Sequence, residues 1–146
     1  MGDMNQAPEG LVTVQSEHGP VGTLMRLENS IASRGLTIFA RIDHAAGAKD
    51  VGMDLRPTKV VIFGSPKSGT PLMQMSETIG IDLPLKMLIR QEANGQTVLA
   101  YDDPAWLASR HGLAAAAGPI VEKMQAAMAA IAGEAADGSP QASTET

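Results

Sequence analysis

Asp43-His44, Lys67, Asp82 and Arg110-His111 are the residues of this sequence whose types could do chemistry together. A carboxylate beside an imidazole sets the tautomer of the ring and raises its basicity. Asp43 and His44 could therefore serve as a general base or as metal ligands. Lys67 or Arg110 would then be the electrostatic clamp on developing negative charge. Each residue also has a structural reading. His44 can close a strand and hold the following turn, while Arg110 and His111, directly before Gly112, can answer the free carbonyls of a helix end. Histidines at 18, 44 and 111 lack close ligand spacing, so no metal or other cofactor is expected. There is no cysteine, which removes thiolate chemistry, disulfides and Cys-ligated zinc.

A second candidate is the loop Gly64-Ser65-Pro66-Lys67-Ser68-Gly69-Thr70-Pro71. Its glycines have the spacing of a Walker loop, but Thr70-Pro71 stands where Lys-Ser/Thr is required, so nucleotide hydrolysis is not expected. A strand–loop–helix turn still presents helix N–H groups beside Ser65, Lys67, Ser68 and Thr70, which makes an anion seat. The alternative is a tight turn with an ordinary Thr70-Pro71 cap. Met73, Met75 and Met87 lie nearby, either as an adaptable apolar lining or as core filler.

The elements that must position these residues follow from periodicity. Residues 11–14 (LVTV) read as a first strand. Pro20 opens a helix with Val21, Leu24, Leu27 and Ile31 on one face, and Gly35 ends it. Residues 36–43 alternate, with Leu36, Ile38, Ala40 and Ile42 on one side, and residues 44–52 read as a loop. Val60, Val61, Ile62 and Phe63 form a strand apolar on both faces. A short helix after Thr70 ends at Gly80; strands 85–93 and 96–101 flank Asn94-Gly95, the preferred pair of a type I′ hairpin. Asp103-Pro104 starts a helix, and Ile120, Val121, Met124, Met128 and Ile131 stripe a last one. The order predicts an α+β fold: a mainly antiparallel sheet of about five strands with its longer helices on one face. The expected organisation is a flexible leader at 1–10, one domain over 11–133 including an added helix at 119–133, and a disordered tail at 134–146.

At 146 residues the chain has room for one real core. Sixteen acidic against eleven basic residues give a formal charge of −5, without a basic run, and there are four aromatics, so nucleic acid is a poor partner. The N-terminus has no signal-like segment and no apolar run has membrane-spanning length, which reads as a soluble cytoplasmic protein without membrane partners.

Several phrases in order, Ile42-Asp43-His44-Ala45-Ala46-Gly47-Ala48, Leu55-Arg56-Pro57-Thr58, 63–73, 81–86, Tyr101-Asp102-Asp103-Pro104 and 107–113, resemble the domain-of-unknown-function family 302 over roughly residues 17–113. The resemblance implies a two-layer fold similar to the TATA-binding-protein-like group, and it brings no reaction, substrate or catalytic residues. The leading expectation for function is a binding module for a small anionic or amphipathic ligand, held by Gly64, Ser65, Lys67, Ser68, Gly69, Thr70, Arg110 and His111. The alternatives are an enzyme using Asp43 and His44, and a homodimer in which a second subunit covers the apolar residues of the open sheet face; the 120–131 helix folded back over that face would instead give a closed monomer.

Overall fold

The computed structural model describes residues 7–113 and 115–138. Residues 1–6 of the expected leader, Ala114 and residues 139–146 of the expected tail lie outside that range. The strands are β1 (Leu11–Gln15), β2 (Thr37–Asp43), β3 (Thr58–Gly64), β4 (Leu85–Gln91) and β5 (Thr97–Asp102). The helices are α1 (Pro20–Ser33), α2 (His44–Asp50), α3 (Pro66–Met75), α4 (Pro104–Arg110) and α5 (Gly118–Ala136), with 3-10 turns at Glu77–Ile81 and Ala115–Ala117.

The strands form one sheet in the order β1-β5-β4-β3-β2, antiparallel at every step. β1 and β2 hold opposite edges, so α1 must carry the chain diagonally across the whole sheet. Its fourteen residues are about 21 Å long, close to the roughly 19 Å spanned by five strands. Period-two alternation then buries one face: Val61 and Phe63, Met87 and Ile89, Leu99 and Tyr101. Leu27 and Ile31 of α1 and Met128, Ile131, Ala132, Ala135 and Ala136 of α5 pack on these side chains as a single core. The alanines keep α5 low on the sheet beside α1. A charged clasp joins the two helices: Ser30 Oγ donates to Glu134 Oε1 at 2.5 Å, and Arg34 Nη2 donates to Glu134 Oε2 at 3.0 Å.

Local chemistry departs from the periodicity in four places. Ile38 pairs with Phe63 and Ala40 with Ile62, so Phe39 is the extra residue of a β-bulge. The bulge turns Ala40 and Ile42 to the face opposite Ile38, and it sets Arg41 across from Val61, where it holds Glu28 of α1 through two bonds of 2.7 and 3.0 Å. Residues 44–50, expected as loop, are helix α2, because Asp43 caps it by accepting from the Ala46 N–H at 2.9 Å. α3 starts at Pro66 on a Ser65 cap rather than at Thr70, which leaves Pro71 inside the helix, without an N–H for the Lys67 carbonyl. The β4–β5 turn has three residues rather than two. The Gly95 N–H donates to the Glu92 carbonyl at 2.9 Å and the Glu92 N–H to the Gln96 carbonyl at 2.8 Å, and only Gly95 has positive φ, whereas a type I′ turn needs two such residues.

The expectation that the 120–131 helix folds over the open sheet face is also corrected. α5 lies on the opposite face with α1, since its stripe completes the core there. Because α5 supplies five residues to that core, we predict that a chain ending at Leu113 loses cooperative folding. Circular dichroism should show no thermal transition, against a sharp one for the full chain.

Candidate functional site

At the Phe63/Leu85 end of the β3–β4 pair, the first turn of α3 and the middle of α5 stand apart over the sheet. Between them is a cavity of about 460 Å³. Its floor is apolar, from Phe63, Leu85, Met124, Met128 and Ile131, and its rim carries Arg34, Lys67 and Lys123 with Ser65 and Ser68. No carboxylate lines it. In a chain with sixteen acids and eleven bases, three cations against no acid is a local inversion of charge. Lys67 and Lys123 form no ion pair among the described residues, whereas Arg34 is shared with Glu134.

Of the ligand residues expected from sequence, Gly64, Ser65, Lys67, Ser68 and Gly69 line this cavity; Thr70, Arg110 and His111 do not. The anion seat differs from the one expected. The Lys67 N–H already donates to Ser65 Oγ at 3.2 Å, and the Ser68 and Gly69 N–H groups donate to the Ser65 carbonyl at 3.0 and 3.2 Å. The backbone donors are therefore spent on the cap, leaving the Lys67 ammonium and the Ser68 hydroxyl to meet a ligand. The methionines of the site are Met124 and Met128, not Met73, Met75 or Met87. Met87 is fully buried in the core, and Met73 and Met75 are exposed. Arg34 and Lys123 are not legible as site residues from sequence; the i, i+4 spacing of Met124 and Met128 marks the stripe of α5 but does not by itself place it beside the loop.

Asp43 and His44 lie at the other end of the sheet. Asp43 pairs across β2–β3 with Lys59, five residues of strand from Gly64, which is about 17 Å. General-base catalysis needs direct or one-water reach, so His44 and Lys67 do not form one centre. Asp43 is committed to its cap: accepting the Ala46 N–H holds its carboxyl below the usual range, which makes it a poorer base. His44 is an exposed first residue of α2.

Arg110 and His111 instead converge on Asp82. Arg110 Nη1 donates to Asp82 Oδ2 at 2.7 Å, and His111 Nε2 donates to the same oxygen at 2.5 Å. A carboxylate can only accept, so Nε2 carries the proton, and in the neutral ring Nδ1 accepts from Thr78 Oγ1 at 2.8 Å. Ser76 Oγ donates to the His111 carbonyl at 3.0 Å. This is the connectivity of a hydroxyl–imidazole–carboxylate relay, yet none of its members lines the cavity, and the imidazole is 7% exposed. It braces the end of α4 against the 3-10 turn.

The sequence matches the family model described as "Domain of unknown function DUF302" over residues 12–131, and the chain belongs to that family. It is 44% identical over 115 residues to the protein named "Fluoride-specific ion channel FluC 1" of Brucella suis biovar 1, a match covering 79% of this chain and 45% of that protein. The protein named "Fluoride-specific ion channel FluC 2" of Brucella melitensis biotype 1 is equally similar, with 43% of its length covered. The chain thus spans less than half the length of these curated relatives. Its structure is similar to the crystal structure of an uncharacterized conserved protein DUF302 from Bacillus stearothermophilus, with a TM-score of 0.78 and 22% identity, covering 88% of this chain and 99% of that one. That likeness shows the fold.

The Asp82 brace makes a pH-dependent contribution to stability. Burial pushes the Asp82 carboxyl up, but the bonds from His111 and Arg110 outweigh it and hold the carboxyl below its usual range. A lowered folded value means the contribution is complete above the unfolded pKa of about 3.9 and is lost as pH falls through the folded value. We predict that Asp82→Asn costs about 2 kcal/mol at neutral pH. From about pH 5 downward the urea midpoint of the wild type should fall more steeply than that of the variant, so that the two curves converge.

Proposed function

We propose that this member of the DUF302 family binds a small amphipathic anion. The head group meets Arg34, Lys67 and Lys123, and the apolar body lies on Phe63, Leu85, Met124 and Met128. One observation carries this reading: three cations and no carboxylate ring an apolar floor. The cavity volume of about 460 Å³ falls within the roughly 300–1,000 Å³ typical of small-molecule sites. Removing the apolar floor from water favours a ligand with its own apolar surface, at about 25 cal/mol per Å². The rim selects a negative charge, since a cationic or neutral head would leave Lys67 and Lys123 unanswered. Fluoride conduction is in the name of the longer relatives. Among the described residues no helix is long and apolar enough to cross a membrane, and an apolar floor offers little to a small hydrated halide.

A second reading, self-association, is favoured by a separate observation. Val21, Met25, Val51, Met53 and Leu55 are large apolar residues between 50% and 74% exposed.

Ligand binding is tested by thermal shift and calorimetry with decanoate, decyl phosphate, decanol and inorganic phosphate. The two amphipathic anions raise the melting temperature, whereas decanol and phosphate each lack half of the recognition. Lys67→Glu with Lys123→Glu weakens decanoate at least about 10-fold, which corresponds to about 1.4 kcal/mol. No shift with any probe, or binding indifferent to the charge reversal, removes the reading.

A further inference from the structure

The three cations on the rim of the cavity are not equivalent. Arg34 Nη2 lies 3.0 Å from Glu134 Oε2, and Ser30 Oγ donates to the other oxygen of that carboxylate at 2.5 Å. The guanidinium therefore already has a counter-charge, itself held in place by a second bond. Lys67, in the first turn of α3, and Lys123, near the start of α5, have no ion pair among the described residues, and no carboxylate lines the cavity. The uncompensated charge of the site is thus that of two lysines. An anion of one charge leaves one of them without a counter-ion; an anion of two charges answers both.

The residue types favour the same kind of head group. A planar carboxylate is matched by the fork of arginine, which sets two parallel N–H donors against its two oxygens. The arginine of this rim is engaged by a carboxylate of the chain's own, Glu134. Both free cations are lysines, compact point charges with three donors and no acceptor, which suit a tetrahedral oxyanion. Ser68 adds a hydroxyl, and Ser65 Oγ, which accepts the Lys67 N–H at 3.2 Å, keeps its own proton to donate. A phosphate monoester presents three terminal oxygens and close to two charges at neutral pH, since its second ionisation lies at about pH 6. Its single organic group has one apolar floor to lie on, made by Phe63, Leu85, Met124 and Met128. A diester brings only one charge and has two groups to place.

We infer that the ligand class of this cavity is the phosphate monoester of an apolar alcohol, with Lys67 and Lys123 supplying the counter-charge of its dianionic head. This rests on the amphipathic-anion reading and narrows it to one head group. A soluble alkyl phosphate and the phosphatidate head group of a membrane share that chemistry. Calorimetry with decyl phosphate and with methyl decyl phosphate, its monoanionic diester, tests the inference at about pH 7.5 and about pH 5. At the higher pH the monoester binds at least about 10-fold more tightly than the diester. At the lower pH most of the monoester has taken up its second proton, and its advantage shrinks about 5- to 10-fold. No histidine or carboxylate lines the cavity, so the change is read from the ligand's own ionisation. Lys67→Gln and Lys123→Gln, both at exposed positions, each remove most of the monoester's advantage. Pelleting with phosphatidylcholine vesicles, with and without phosphatidate, separates the two sources. Binding that requires phosphatidate assigns a lipid head group, and binding of decyl phosphate without vesicle binding assigns a soluble ester. Equal affinity for the two esters at the higher pH, or an advantage indifferent to pH and to both lysines, overturns the phosphate monoester while decanoate binding keeps the amphipathic anion. If neither ester nor decanoate binds, both readings fall.

Discussion

The close packing of α1 against α5 over one face of the sheet is the constraint on which the rest depends. Neither helix buries enough alone: α1 contributes Leu27 and Ile31 to the core, and α5 contributes Met128, Ile131 and three alanines. Their polar contact is as specific as the apolar one, because Glu134 receives both Ser30 and Arg34. Two helices cannot cover five strands completely. The space left beside them becomes a cavity at one end of β3–β4 and a groove at the other. The two candidate surfaces are thus by-products of one packing solution, both largely apolar, one rimmed by cations alone and the other by both signs of charge. Arg34 belongs to both the clasp and the cavity rim, so an anion drawn to it competes with Glu134 for the same guanidinium.

Much of the fold is legible from the residues, since it rests on signals that act locally. The Pro20 and Asp103-Pro104 starts, the Gly35 and Gly112 stops and the β4–β5 hairpin all appear in the structure. The errors arise where a local competitor outweighs periodicity. Ser65-Pro66 is as good a cap and first residue as Thr70-Pro71 and comes earlier, so the helix starts there despite Pro71. Asp43 turns a polar, glycine-containing stretch into α2 through one bond to Ala46. The bulge at Phe39 is not visible in the alternation of 36–43, because it is set by pairing with β3 and by the reach of Arg41 to Glu28.

The candidate site was half legible for a related reason. The contiguous loop from Gly64 to Gly69 could be found from its own composition, and it lines the cavity. Arg34, Lys123 and Met128 come from elements distant in sequence and are joined to the loop only by the α1–α5 packing. The reverse failure is equally physical. Arg110 and His111 looked available as cations, but Asp82, nearly thirty residues earlier, is turned back to meet them. A charged residue signals chemistry only until its partner is known.

The Phe39 bulge also bears on how the protein behaves in a crowded solution. β2 is an outer strand, with one side of its backbone offered to any extended peptide that drifts past. A regular, flat strand in that place would be a template for stacking copies into fibrils. The extra residue breaks the even spacing of amides and carbonyls and adds local twist, so an incoming strand finds a matching ladder for only a few residues before it falls out of step. At the far border β1 presents only five residues before the chain leaves the sheet. The same irregularity that aims Arg41 at Glu28 therefore acts as a guard against runaway aggregation.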